Sequence, residues 1–238
     1  MRYLNKLLCL FILCVSTNLY SQYLIGSWEH TEINSNGDTI KSIVSFTDGF
    51  QSLCVFNATE GAFIHTNGGA WSLENDRLTE KVEYHSDSSN YVGQEITFKI
   101  ILTDSTLQIA GEDEVFKRLD DGTPGDLNGA WLMSGRKRNG EIQQRDTDKP
   151  RKTMKILSGT RFQWIAYNTE TKQFLATGGG TYTTDNGEYI ENIEFFSRDD
   201  SRSGASLKFN YELKNDDWHH SGLSSKGDPI YEIWTRRQ

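Results

Sequence analysis

Little in this sequence can staple or stiffen it. Of its 238 residues, 3 are Pro and 3 are Cys, which excludes collagen-like, Pro-rich disordered and disulfide-framework chains. Cys9 and Cys14 lie within the first 21 residues, so the remainder keeps only Cys54, and one thiol forms no intrachain disulfide. Cys54 stands in Leu53-Cys54-Val55-Phe56, the setting of a small buried hydrophobe rather than of a nucleophile. Long apolar runs are missing as well. Residues 7–15 form a short one, but a membrane-spanning helix needs roughly 20 apolar residues and no later run reaches that. With Arg2 and Lys6 before it and small polar residues after it, the run reads as a secretory signal peptide. Residues 1–21 are expected to be cleaved after Ser21, leaving a secreted or periplasmic protein without a membrane span.

The signatures of common chemistries are also absent. The sequence has no His-Glu-x-x-His, no Cys-x-x-Cys and no Asp-rich calcium loop, and the Gly178-Gly179-Gly180 run is not followed by the Lys-Ser/Thr of a phosphate loop. A Gly-x-Ser-x-Gly elbow is missing too. His219 and His220 are adjacent, so on a strand they point to opposite faces and do not share a metal. No catalytic residue, metal or cofactor is therefore assigned.

Positive charge is scarce in the first half. Beyond residue 21 the chain carries 23 basic and 33 acidic residues, net −10; residues 22–122 hold 6 and 17, residues 123–238 hold 17 and 16. An acidic surface argues against nucleic acid as a partner. The exception is residues 136–155, where Arg136, Lys137, Arg138, Arg145, Lys149, Arg151, Lys152 and Lys155 face only Glu141, Asp146 and Asp148. That stretch reads as a solvated loop, or as a site for an anion or a partner.

What the chain does have is an internal repeat. Leu24-Ile25-Gly26-Ser27-Trp28 returns as Leu127-Asn128-Gly129-Ala130-Trp131 at a spacing of 103, and residues 66–111 align without a gap to 177–222 at a spacing of 111, with 11 of 46 positions identical. Those identities include Gly68, Gly69, Glu80, Glu83 and Phe98 with their counterparts. Such a period means two copies of one unit: residues 22–119 and 127–238, joined by a polar linker at 120–126. Each copy shows short runs of alternating character separated by turn signals such as Asn36-Gly37 and Asp48-Gly49, with no helical period. The spacing predicts up to nine strands in the first copy, over 27–33, 40–47, 50–57, 62–68, 70–73, 78–86, 94–102, 106–110 and 114–119. The expected fold is all-β, two tandem antiparallel up-and-down barrels that leave no sheet edge. Gly68-Gly69 and the glycines at 178–180 suit a bend or bulge at a barrel corner.

Gly26-Ser27-Trp28 with Arg118, and Gly129-Ala130-Trp131 with Arg236, resemble the lipocalin-like (calycin) barrels, which carry a Gly-x-Trp on the first strand and a basic residue on the last. The resemblance implies that Trp28 and Trp131 close the barrels under Arg118 and Arg236, a cation-π contact worth about 0.5–2 kcal/mol. The Thr-x-Gly-Gly-x-aromatic run and the Glu-x-(Val/Ile)-Glu-(Tyr/Phe) run after it are similar to lipocalin-like domains of bacterial secreted proteins of unknown function. The disulfide of the classical lipocalins is absent, and no catalytic residue carries over.

Strand alternation places Glu80, Val82 and Tyr84 on one face, and Glu191, Ile193 and Phe195 on the matching one. If those faces point inward, Glu80 and Glu191 become carboxylates inside the barrels, where burial raises the pKa of an unpaired acid. Two roles are open for them: contact with a ligand, or a fixed partner that holds the barrel. The aromatics Trp71, Tyr84, Trp164, Tyr182 and Phe195 join them as candidate ligand contacts, since small barrels hold one apolar ligand when side chains leave room. The expected function is non-covalent binding of a small, partly apolar molecule of unknown identity. The alternative is a module without a cavity that binds a glycan or an envelope protein through exposed aromatics or the loop at 136–155. A weaker third reading is a calycin-type enzyme using Glu191 or His220.

Overall fold

The alternating runs and Gly-rich turns become seventeen strands in a computed structural model that describes residues 23–224 and 226–237. The signal peptide expected over residues 1–21 lies outside them. The first half contributes β1 (Gly26–Ile33), β2 (Thr39–Phe46), β3 (Phe50–Asn57), β4 (Ala62–Glu74), β5 (Arg77–His85), β6 (Glu95–Leu102), β7 (Thr106–Ile109) and β8 (Val115–Asp120). The second contributes β9 (Gly129–Arg138), β10 (Glu141–Gln144), β11 (Arg151–Leu157), β12 (Arg161–Asn168), β13 (Gln173–Asp185), β14 (Glu188–Phe196), β15 (Ser206–Lys214), β16 (Asp217–Leu223) and β17 (Pro229–Arg236). Each half winds up and down as an antiparallel meander. The two sheets close through β1 on β8 and β9 on β17, giving two eight-stranded barrels. β10 stays outside the second barrel as a hairpin arm on β9, turning at Asn139 and Gly140, whose positive φ values of 53° and 86° suit a two-residue hairpin turn.

Both closures use the same device. Trp28 and Trp131 are fully buried, and their indole N–H groups donate to the Leu24 and Leu127 carbonyls at 3.0 and 2.8 Å. The guanidinium of Arg118 lies 3.9 Å over the Trp28 ring, and that of Arg236 lies 4.3 Å over Trp131. Arg118 also donates to the Ile25 carbonyl at 3.0 Å and to that of Tyr23, and Arg236 donates to the Asn128 carbonyl at 2.8 Å, so each Arg ties the last strand to the chain entering the first.

The structure departs from the sequence reading at one place in each copy. The runs at 62–68 and 70–73 form a single strand, β4, bent where Gly68 faces Tyr84 and Gly69 faces Val82 across β5. Glu83 is the extra residue of that bulge, and Glu194 is its counterpart between Ile193 and Phe195 on β14. A Cβ on Gly68 would meet the Tyr84 hydroxyl and the Gln51 carbonyl, and one on Gly69 the Lys81 carbonyl. Only glycine permits that approach. An inserted residue reverses the side to which the rest of a strand points, so Tyr84 and Phe195 leave the face of Val82 and Ile193 and turn outward.

What they turn toward is the other barrel. Phe56 stacks on Phe195 with ring centroids 4.9 Å apart, and Tyr84 meets Tyr167 at the same 4.9 Å. At the repeat spacing of 111, Phe56 matches Tyr167 and Tyr84 matches Phe195, so these contacts are images of each other about a pseudo-twofold axis. Phe63 and Phe174, themselves counterparts, stack at 5.8 Å. Near the axis the Gln163 amide donates to both Thr66 and Thr177, each at 2.9 Å, and accepts from Ser52 at 2.5 Å. Glu83 reaches across to accept from Tyr167 at 2.6 Å and to pair with Arg237, whereas Glu194 pairs with Arg161 of its own barrel at 2.8 Å. Asp120, the last residue of β8, is buried and accepts from Ser158 at 2.9 Å, from the Gly159 amide at 2.9 Å and from Thr160. The barrels therefore share one aromatic, hydrogen-bonded interface.

Phe195→Ala removes the ring that packs on Phe56 and Phe63, and a large-to-small change at a buried aromatic costs about 3–5 kcal/mol. Urea unfolding of this variant is expected to show that loss in one transition for both barrels. A first-barrel signal that keeps its midpoint would show that the interface does not couple them.

Candidate functional site

The repeat lets the two barrel interiors be compared position by position, and they are filled differently. In the second barrel, Lys155, Trp164, Tyr189, Trp218 and Trp234 occupy the places that Val44, Leu53, Leu78, Leu107 and Phe116 hold in the first. The registers fix the match: Val44 pairs with Trp28 and Leu53, and Lys155 with Trp131 and Trp164. Leu107 pairs with Phe116 as Trp218 pairs with Trp234. The larger set packs the second barrel solid around Trp131, Tyr189, Phe209, Trp218 and Trp234, which are all buried. The smaller set leaves the first barrel with a cavity of about 270 Å³.

That cavity is apolar on nearly every side. Val44, Phe46, Leu53, Leu78, Val82, Phe98, Ile100, Leu107 and Phe116 line it, Asn67, His85 and Tyr91 bring polar groups, and Glu80 is its single acid. His85 stacks on Tyr91 at 4.7 Å and lies 4.7 Å from His65, whose Nδ1 is 2.9 Å from an Asp87 carboxylate oxygen. Burial, and then His65, lower the pKa of His85 from its ordinary value. Where His85 stands the second barrel has Phe196, whose ring meets Trp164 at 5.6 Å and covers the same end.

Glu80 and Glu191 are equivalent in sequence and opposite in circumstance. Glu191 is 5% exposed and its Oε1 lies 2.7 Å from Lys155 Nζ and 2.8 Å from the Tyr189 hydroxyl. Lys155 sits 4.9–5.2 Å from the ring centres of Tyr189, Trp218 and Trp234, so the buried ammonium has a carboxylate and three π faces for company. Glu80 has Val44 where Glu191 has Lys155. No lysine or arginine lines its cavity, and burial alone pushes its carboxyl up from 4.5 to about 7.

The other sequence candidates divide. Trp164 does line an interior, as a plug of the second barrel. Tyr182 is buried at the other end of that barrel against Tyr189, its hydroxyl donating to the Ser158 carbonyl at 2.6 Å. Trp71 packs edge-on against Phe46 and donates to the Thr47 carbonyl, beside an open crevice of about 790 Å³ between the barrels. That crevice is larger than the cavity, but turn residues such as Asp48, Gly49, Gly122 and Asn128 line much of it. Tyr84 and Phe195, expected beside the two glutamates, lie in the interface because of the bulges. Cys54 is buried there as well, its thiol pushed up to about 12 by burial, which leaves it inert. Lys155, counted with the basic stretch at 136–155, is a core residue on β11, and the rest of that stretch forms the end of β9, β10, the turn after it and the start of β11, which carries Arg151 and Lys152. His220, the enzyme candidate, is buried between Phe209 and Trp218 with its Nδ1 3.3 Å from Glu232, and burial, with Lys155 next, lowers its pKa.

Two features escaped the sequence. One is Lys155, masked by the basic residues around it. The other is Gln51, 1% exposed, which shares the face of Leu53 and whose amide has no hydrogen-bond partner among the described residues; its counterpart in the second barrel is Phe162. Nor does any group of three His, Cys, Asp or Glu side chains among the described residues converge as metal ligands. No helix among them is long and apolar enough to cross a membrane.

With two lipocalin-like barrels in view, the comparison with known families is narrow. Residues 126–238 match the model of a domain of unknown function, DUF4488. The match is the second barrel with the end of the preceding connection. No curated protein matches the chain.

The paired and unpaired glutamates lead to two expected outcomes. Glu80 holds its proton in the folded state up to about pH 7, while the unfolded chain releases it near 4.5. Between those values the folded state binds more protons, so stability falls as pH rises and the cost persists above pH 7. Glu80→Gln should leave stability at pH 4 unchanged and raise it at pH 8, by up to about 3 kcal/mol; equal midpoints at pH 8 would contradict an unpaired carboxylate. In the second barrel Lys155→Met strands Glu191, at a cost of about 3–5 kcal/mol, whereas Lys155→Met with Glu191→Leu should restore most of it. Chemical denaturation of both variants reads the difference.

Proposed function

We propose that the protein is exported and that its first barrel binds a small, partly apolar molecule non-covalently, while the second serves as its filled structural partner. The observation that carries this reading is the cavity of about 270 Å³ in one of two barrels that share a template. Ligand pockets usually measure about 300–1,000 Å³ and combine apolar walls with a few polar groups; this one lies just below that range and has that composition. An apolar void of this size otherwise costs stability in proportion to its volume. The lipocalin-like resemblance supports the same reading, as does the leader pattern of residues 1–21 for export.

Leu53→Trp, which installs the second barrel's residue at the matching position, should fill the cavity. A small molecule that co-purifies with the protein in native mass spectra, or that raises its melting temperature saturably, should be lost in this variant. Retained binding would place the ligand elsewhere.

A second reading rests on the arm of β9 and β10. All four residues of β10 are exposed, and Arg145, Lys149, Arg151 and Lys152 line a depression of about 280 Å³ at its base. That surface suits an anionic glycan or an acidic envelope protein, and charge reversal at Lys149 and Arg151 would weaken such a partner without touching the cavity.

A further inference from the structure

The second barrel states what an acid at this position requires. Glu191 is held by an ammonium, and that ammonium is delivered through the barrel interior by the four-carbon stem of Lys155. The first barrel keeps the acid and drops the base. Val44 replaces Lys155 at the same register point, opposite the closing Trp28, and Leu107 replaces Trp218, so both the cation and part of the volume it filled are gone. A carboxyl in a largely apolar cavity with no lysine or arginine in its lining is the costly half of an ion pair.

We infer that the ligand of the first barrel is a small apolar primary amine whose ammonium seats against Glu80, supplying from outside the group that Lys155 supplies from within the second barrel. This rests on the reading that the first-barrel cavity is a binding site. The cavity of about 270 Å³ has room for on the order of nine non-hydrogen atoms at roughly 30 Å³ each, the size of an eight-carbon alkylamine or a phenylalkylamine. Its walls suit the hydrocarbon, and it offers no competing cation.

Octylamine, octan-1-ol and octanoate, titrated into the purified protein by calorimetry, separate the alternatives because they differ mainly in the head group. Octylamine is expected to bind at least tenfold more tightly than the alcohol at pH 8, and octanoate more weakly than either. The amine stays protonated throughout, so its affinity should fall by up to tenfold per pH unit below about 7, where Glu80 takes up a proton. His85 on β5 and Tyr91 are the other titratable groups of the lining; β4 contributes Asn67, and β2, β3, β6, β7 and β8 contribute apolar side chains. Glu80→Gln should cost octylamine at least tenfold at pH 8, spare octan-1-ol and abolish the pH dependence. Val44→Lys, which copies the second barrel, should raise the melting temperature and abolish octylamine binding; if it does not fold, Glu80→Gln decides. Tighter binding of the alcohol or the acid, or a pH dependence that survives Glu80→Gln and so belongs to His85, overturns the amine and leaves the cavity reading standing. Failure of all three compounds to bind overturns both.

Discussion

An eight-stranded barrel encloses an interior about as wide as the side chains that point into it, and everything particular to this protein depends on how that interior is filled. The backbone template is the same in both halves, down to the Trp under its Arg and the glycine bulge. The contents are not. Leucines, a valine and a phenylalanine in one barrel stand where tryptophans, a tyrosine and a lysine stand in the other. The difference is a solid core on one side and a hollow on the other, produced without altering strand order or closure.

The same constraint explains the charges. A carboxylate inside a barrel needs a partner or a proton. In the second barrel, Lys155 supplies the partner and aromatic faces surround it, so the pair is a fixed part of the core. In the first, Glu80 has no cation beside it, and burial raises its pKa to about 7. Identity of the two glutamates across the copies therefore does not mean identity of role. The acid is common to both barrels and its compensation is what differs.

Much of the architecture is legible because it rests on signals that survive in a single sequence. The Gly-x-Trp pair, the offset of 111 and the alternation of the strands carry the two barrels and the place of Glu80 within one of them. The bulges are not legible in their consequence. Gly68-Gly69 marks a corner, but one inserted residue inverts the facing of every side chain beyond it, so Tyr84 and Phe195, which plain alternation puts with the ligand, belong to the interface. Tyr167, Phe56 and Phe63 go with them, because an inter-barrel core and a barrel lining have the same composition. Lys155 is hidden for a different reason: in a run containing Arg151 and Lys152, charge count points to solvent, and only the register shows that position 155 matches Val44.

The interface gives the duplication a physical logic. Aromatic pairs exchanged about a pseudo-twofold axis, with Gln163 bridging Thr66 and Thr177, are the arrangement expected of two equal subunits packed face to face. Joining them in one chain frees the copies to diverge, since a change in one interior is no longer made in both. A cavity weakens the barrel that contains it, and the neighbour that shares its interface is the one filled with tryptophan. Phe195 and Tyr84 are the joint between these two conditions. They are held outward by the extra residues Glu194 and Glu83, and the Glu83 side chain reaches across to Arg237 and Tyr167, so in the first barrel the device that empties the inner face of an aromatic also ties the hollow barrel to the filled one.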